Sequence, residues 1–240
     1  MNPTTLNLLA VSVFAFTILS LVGPLLNISP GAVATMLTGC AGVIAVDRFG
    51  AQGKGGTLLL DLVSRRSSEY RQRVLYHEAG HFLVAHLLEI PVQSYTLSAW
   101  EAIKAGFPGL GGVICEAPEL DAQAETATLS EQQVNRYCTV WMAGIAAENQ
   151  QYGTAQGGED DQRKLKQLWI QTRHPENTAD TQLRWALLQA ETLIKTQSAA
   201  YEALVTAMSE RAPVAACCAA IERCRVETAL AESAALVNQD

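Results

Sequence analysis

The chain has 240 residues, of which 49% are hydrophobic and 17% are charged, and its formal net charge is −7. This composition excludes an intrinsically disordered chain, which combines few apolar residues with high charge. The acidic balance, 24 Asp and Glu against 17 Lys and Arg, argues against nucleic acid as a partner, because proteins that bind it present a basic surface. Residues 1–46 contain no Lys, Arg, Asp or Glu, so we expect an apolar N-terminal segment joined to an acidic globular part.

The uncharged segment contains two hydrophobic runs. As a helix at about 1.5 Å per residue, Leu6–Ile28 would reach roughly 34 Å, enough for a hydrocarbon core of about 30 Å. The second run, Gly31–Val46, would reach only about 24 Å. We therefore expect residues 1–48 to form a membrane anchor, a transmembrane hairpin of two hydrophobic helices with the second one short. A cleaved signal peptide is the alternative, but it would begin with basic residues, which Met1–Thr5 lacks.

Residues 49–66 read as a flexible, glycine-containing linker. Basic residues crowd around this linker: Arg48, Lys54, Arg65, Arg66, Arg71 and Arg73. By the positive-inside tendency they place the following domain on the cytoplasmic side. The six cysteines form no CxxC pattern, so we expect reduced thiols, as is usual in that compartment.

Residues 67–240 are predicted to form one domain that is mainly α with a small β-sheet. A Ser cap and Pro91 bound the first helix, a glycine-rich stretch with two short β-like runs follows, and alanine-rich helices complete the domain. The strand at Val92–Leu97 either offers an edge to an extended peptide or is an ordinary packed strand. The predicted elements are helix Glu69–Glu89, strands VQSYTL and GGVIC between residues 91 and 117, helix Leu129–Gln151, a helix from Glu159 or Asp160, and helices at about 178–209 and 213–236.

The strongest chemical signal is HEAGH at His77–His81. Two imidazoles four residues apart lie on one face of a helix and can bind one metal ion, while Glu78 can act on a water molecule without being a ligand. Zinc favours such nitrogen and oxygen ligands, can keep one position open, and makes water reactive near neutral pH. Glu78 would accept the proton and pass it to the departing amine. A chance HExxH is the alternative, and it is weakened because the chain has only four histidines.

A hydrolytic zinc site needs a third protein ligand. His86 lies about 180° from His77 around the helix and faces away from the metal, and His174 is a loop histidine without a supporting partner. Glu148 and the acidic run Glu159–Asp161 are better placed. Acidic residues at a helix start also serve as caps and dipole partners, so spacing alone does not choose among them.

Three stretches carry a family resemblance. Tyr76–His81 (YHEAGH) resembles the zinc helix of the FtsH family of membrane-bound metalloproteases. Downstream, Ala143–Glu148 resembles that family's GGRxAE helix. Tyr152-Gly153 and Gly157–Asp161 are similar to its FG…GASND segment.

The resemblance implies an FtsH-like zinc metallopeptidase domain behind the anchor. It implies Zn²⁺ held by His77, His81 and Asp161, with Glu78 as the catalytic base. Asp160 remains the alternative third ligand, because the loop before it is one residue shorter than in the family.

Some features depart from the family pattern. Ile145 stands at the position of the family's arginine and Asn149 at that of its second glutamate. Only about thirty residues separate Asp47 from the zinc helix, too few for the family's ATPase module, since domains run about 50–250 residues.

The resemblance therefore implies an ATPase-less FtsH-like membrane protein of photosynthetic lineages. It would be an endopeptidase on the cytoplasmic or stromal side of a plasma or thylakoid membrane. Its substrates would be polypeptides, and it would form a homo-oligomer or work with a partner ATPase. The alternative is a catalytically silent, metal-binding membrane adaptor or assembly factor.

Overall fold

The structure is a computed structural model that describes residues 3–26, 29, 31–32, 34–35, 38–39, 67–104, 112–116 and 129–237. These residues contain eight α-helices and one two-stranded antiparallel sheet, so the predicted mainly α class with a small sheet is confirmed. The helices are α1 (Pro3–Val22), α2 (Ser68–Leu87), α3 (Ala99–Lys104), α4 (Glu131–Tyr152), α5 (Glu159–Gln171), α6 (Ala179–Thr196), α7 (Ser198–Ser209) and α8 (Val214–Val237). The strands are β1 (Val92–Thr96) and β2 (Gly112–Cys115).

The chain divides into two compact units. The first unit comprises Met1–Tyr70 and Ser98–Gly111, and it contains α1, a short 3₁₀ turn at Gly23–Leu26, and α3. Among the described residues, no helix meets the combined length and hydropathy needed to cross a membrane. Most of the predicted second hydrophobic run and the predicted linker at 49–66 lie outside the described residues.

The second unit comprises Arg71–Leu97 and Gly112–Asp240. Its core is a single cluster of apolar side chains to which α2 and the helices from α4 to α8 contribute. Within it α4 packs against α5 and α6, and α7 packs against α8. The largest fully buried side chains include Phe82, Leu83, Met142, Leu165, Ile194, Tyr201, Leu204, Met208 and Ile221.

Local sequence signals explain where α4 begins and ends. Ser130 caps its first turn in a capping box with Gln133, and Gly153 ends it in the left-handed conformation at φ 77°. The predicted single helix over residues 178–209 is wrong, because Gln197 leaves the helical conformation (φ −110°, ψ 32°) and separates α6 from α7. Neither glycine nor proline marks that break.

The small sheet lies where the two predicted strands were expected. β1 and β2 pair antiparallel with Thr96 opposite Gly112 and Tyr95 opposite Val113, and an irregularity separates Val92 from Ser94. The Tyr95 hydroxyl donates to the carbonyl oxygen of Ala212 at 2.6 Å, which ties β1 to the segment before α8. Helix α3, between the two strands in sequence, was not predicted.

Candidate metal centre

Helix α2 places His77 and His81 on one face, with the two rings meeting edge to face at a centroid distance of 4.8 Å. Their Nε2 atoms are 3.1 Å apart, and the Asp161 Oδ2 atom lies 3.5 Å from each. The three side chains offer ligand atoms that all lie within 4.8 Å of one another. This group could hold a metal ion.

The other nitrogen of each ring shows which atom carries the hydrogen. His81 Nδ1 lies 2.7 Å from the Val140 carbonyl oxygen, and His77 Nδ1 lies 2.8 Å from Glu148 Oε1. A carbonyl and an ionised carboxylate only accept hydrogen bonds, so both Nδ1 atoms donate. In the neutral rings the two Nε2 lone pairs then face each other, and either a proton on His77 or a cation bound between the rings relieves their repulsion. Histidines that bind metals typically donate their second N–H in this way.

Asp161 comes from the first turn of α5, which begins after Gly158, a residue in the left-handed conformation at φ 94°. Its side chain is 13% exposed. Burial favours the neutral acid, but the charges and hydrogen bonds of His81, His77 and Lys164 outweigh it and hold the pKa of Asp161 well below its usual value. Asp161 is therefore an ionised carboxylate facing two imidazoles.

Asp160, the alternative ligand, points elsewhere. Its carboxylate pairs with Arg163 at 2.8 Å, and the two side chains are 65% and 71% exposed. Adjacent helical residues point about 100° apart, so only one of the two aspartates can face the histidines. The structure brings Asp161 to them.

Nearby carboxylates strongly favour positive charge on the His77 ring. Burial would lower the pKa of His77, but its hydrogen bonds with Asp161 and Glu148 and the nearby charge of Glu78 raise it to about 10. A site that holds a proton this tightly attracts a divalent cation for the same reason.

Glu148 supports His77 from the side opposite Asp161. It is 3% exposed, and its carboxylate accepts hydrogen bonds from the backbone amides of Gln156 (2.9 Å) and Gly157 (3.3 Å) as well as from His77. Burial alone would raise the pKa of Glu148, but these hydrogen bonds lower it. Because Glu148 bonds to Nδ1 and not Nε2, it orients a candidate ligand and does not complete the ligand set.

Glu78 lies beside the metal-binding group and contacts the sheet. The Val113 amide donates to Glu78 Oε2 at 3.1 Å. A Cβ atom at Gly112 would lie 3.3 Å from the same oxygen, and Gly112 has a φ of 120°, which side chains rarely adopt. Strand β2 therefore fixes the Glu78 carboxylate outside the ligand set.

A close crossing of α2 and α4 brings these parts together. A Cβ atom at Gly80 would lie 2.5 Å from the Ala143 carbonyl oxygen and 2.7 Å from the Ala147 Cβ. Glycine at position 80 thus lets the two backbones approach closely enough for α4 to present Val140 and Glu148 to the histidine rings.

The remaining two histidines lie elsewhere, as expected from their positions. His86 Nε2 is 2.7 Å from Glu222 Oε1 on α8. His174 stacks on Trp169 with ring centroids 3.8 Å apart. Both are explained by these packing and surface contacts.

Sequence reasoning missed two cations beside the site. Arg73 lies 3.5 Å from Glu148 Oε2, with its guanidinium over the Tyr152 ring, and Lys164 Nζ lies 3.2 Å from Asp161 Oδ1. The available signals were helical spacings: Arg73 precedes His77 by one turn, and Lys164 follows Asp161 by three residues.

No protein-family model matches the chain, and no curated protein matches it.

Proposed function

We propose that this chain is a membrane-anchored zinc endopeptidase of the FtsH type that works without an ATPase module of its own. The observation that carries the proposal is the pair of Nε2 atoms 3.1 Å apart, with each Nδ1 next to a carboxylate or carbonyl oxygen and both Nε2 atoms facing an ionised Asp161. Two imidazole nitrogens and one carboxylate oxygen are the donor set of zinc sites that keep a position open for water.

His77, His81 and Asp161 would hold the zinc ion, which when bound makes water a nucleophile near neutral pH. Glu78 would accept the proton of the attacking water and return it to the amine nitrogen as the peptide bond breaks. The Val113 amide holds the Glu78 carboxylate in position through Oε2 and leaves the second oxygen for this transfer. Glu148 keeps the His77 ring in the orientation that presents Nε2.

The sheet supports a substrate position beside Glu78. The Gly112 amide donates to Thr96 Oγ1 on β1, whereas the Val113 amide donates to Glu78. Successive amides of a strand point to opposite sides, so β2 directs Val113 away from β1 and toward the site. An extended peptide lying along this edge of β2 would pass Glu78. The predicted peptide edge at Val92–Leu97 is thereby replaced, in our proposal, by β2.

The membrane anchor is part of the proposal and rests on the uncharged residues 1–46. Val11, Phe14 and Leu21 on α1 are 65%, 68% and 76% exposed, and a helix that is apolar on all sides is favoured by an apolar environment. Recovery of the full-length protein in the membrane pellet after alkaline carbonate washing would support the anchor, and its release into the supernatant would contradict it.

Because no motor module fits between residues 47 and 77, we propose unfolded tails, short peptides or stubs of membrane proteins as substrates.

The decisive experiment compares the wild-type protein with Glu78→Gln. The glutamine oxygen still accepts the Val113 hydrogen bond and leaves the three candidate ligands intact, so only the proton-accepting charge is lost. We expect one zinc per chain in both proteins, cleavage of casein or an unstructured peptide by the wild type, and a loss of 10²-fold or more in Glu78→Gln. Equal cleavage by both would contradict the proposal, and zinc binding without cleavage by either would favour the metal-binding adaptor.

A further inference from the structure

Lys164 occupies the oxygen of Asp161 that the histidines do not use. Its Nζ atom is 3.2 Å from Oδ1, while Oδ2 lies 3.5 Å from the Nε2 atoms of His77 and His81. Each oxygen of the carboxylate thus has its own partner. The two residues are three apart in α5, so the bond forms along one face of the helix.

The two carboxylate oxygens of Asp161 have different partners, and this difference affects how the carboxylate can bind a metal ion. A carboxylate can bind a cation through one oxygen or both, and it can also rotate away from the site. The Lys164 ammonium group, bonded to Oδ1, restrains that rotation and leaves Oδ2 as the atom that can bind the metal ion. We propose that Lys164 is a positioning residue that holds Asp161 as a single-oxygen ligand, an inference that rests on the metal centre of the proposed function.

The Lys164–Asp161 pair differs in burial from a neighbouring ion pair on the same helix. The Asp160–Arg163 pair has the same spacing, but both side chains are largely exposed, and such pairs contribute little. In the Lys164 pair the aspartate side chain is only 13% exposed, whereas the lysine is 56% exposed. A charge-assisted bond to a buried carboxylate fixes its orientation more strongly than one in water.

The charge of Lys164 also reaches strand β2. Burial raises the pKa of Cys115 to about 11, and the Lys164 ammonium opposes that rise. Lys164 is therefore close enough to β2 for its charge to act on Cys115.

The test measures Zn²⁺ affinity by competition with a chromophoric chelator, on full-length protein in detergent. Lys164→Met removes the bond, and Lys164→Arg keeps a donor and a charge. Lys166→Met is the matched control, because Lys166 lies on the same helix with similar exposure (46%) and pairs with exposed Asp180 at 2.7 Å. We expect Lys164→Met to bind Zn²⁺ about tenfold more weakly than wild type, and Lys164→Arg and Lys166→Met to differ from wild type by less than about twofold, as expected for a retained bond and a surface pair.

Two further readouts separate positioning from a structural role. The Co²⁺ absorption spectrum of Lys164→Met should differ from that of wild type, since a second carboxylate oxygen free to bind changes the coordination number, and the chelated proteins should unfold at the same temperature. Equal Zn²⁺ affinity and equal spectra in Lys164→Met and Lys166→Met would overturn the inference while leaving the zinc centre intact. Failure of the wild type to bind Zn²⁺ would overturn both.

Discussion

Gly144 and His77 meet so closely across the α2–α4 crossing that a Cβ atom at position 144 would lie 2.3 Å from Nε2 of His77 and 2.5 Å from its Cε1. Nε2 is the atom that faces His81 and Asp161. Glycine at position 144 is therefore part of the candidate site, since it gives the ring the space it occupies, although it contributes no functional group.

Gly144→Ala should displace the His77 ring and damage metal binding. The clash is with a ring held on its other side by Glu148, so the ring cannot move away without losing that bond. We expect Zn²⁺ binding to weaken at least tenfold, the usual effect of disturbing a ligand's support, and the free energy of unfolding to fall by about 1–3 kcal/mol. Chelator competition and urea unfolding measure the two effects. Wild-type affinity in Gly144→Ala would contradict the ring position.

The two adjacent aspartates offer a matched pair of substitutions. Asp161→Asn removes the carboxylate that faces the histidines, and Asp160→Asn removes one that pairs with Arg163 in solvent. We expect Asp161→Asn to lose stoichiometric zinc after gel filtration and Asp160→Asn to retain it, because an amide is a much poorer zinc ligand than a carboxylate. Zinc content by atomic emission is the measurement. The reverse pattern would make Asp160 the ligand.

The local part of the site could be predicted from the sequence and the remote part could not. The spacing of His77 and His81 sets their common face through helix geometry alone. Choosing Asp161 over Asp160 needs the orientation of α5 relative to α2, which depends on packing between segments about 80 residues apart in the sequence. Spacing alone also left Glu148 as a candidate ligand, whereas its contact with Nδ1 gives it a supporting position.

The fold also has some parts that local sequence signals predict and other parts that they do not predict. The capping box at Ser130 and the proline at position 91 made the ends of α4 and α2 predictable within about two residues. The break at Gln197 has no such signal, and α3 lies in a glycine-rich stretch that was predicted to be β-like. Helix α3 did have a local signal that was missed, since Ser98 Oγ accepts a hydrogen bond from the Glu101 amide as a helix cap.

The raised pKa of His77 predicts a pH dependence for the protein with zinc chelated. The folded-state pKa of about 10 exceeds the ordinary value of 6.5, so the folded state binds the proton more tightly than the unfolded state. This stabilisation is fully present below about pH 6.5 and is lost as the pH rises toward about 10. We expect the free energy of unfolding to fall across that interval by at least ~1 kcal/mol more in wild type than in His77→Gln, measured by urea titration. Parallel pH profiles for the two proteins would contradict the shift.

Glu148→Gln tests the support given to His77 by a carboxylate that is not itself a ligand. The glutamine oxygen can still accept from His77 Nδ1, but its amide group then faces the Gln156 amide, a donor, and Arg73 loses its ionic partner. A buried donor left facing another donor costs about 1–3 kcal/mol, so we expect a lower free energy of unfolding. Zn²⁺ affinity should fall 10–100-fold, the range for groups that orient metal-bound histidines.

Glu159→Gln is the control for this prediction, because Glu159 is an exposed glutamate in the first turn of α5, close in sequence to Asp161. It changes the net charge by the same amount and leaves the His77 ring untouched, so its Zn²⁺ affinity should match wild type. If both variants weaken Zn²⁺ binding equally, the effect of Glu148 is one of overall charge. If only Glu148→Gln does so, the cause is the loss of the buried carboxylate beside His77 and of its contacts with the Gln156 amide and Arg73.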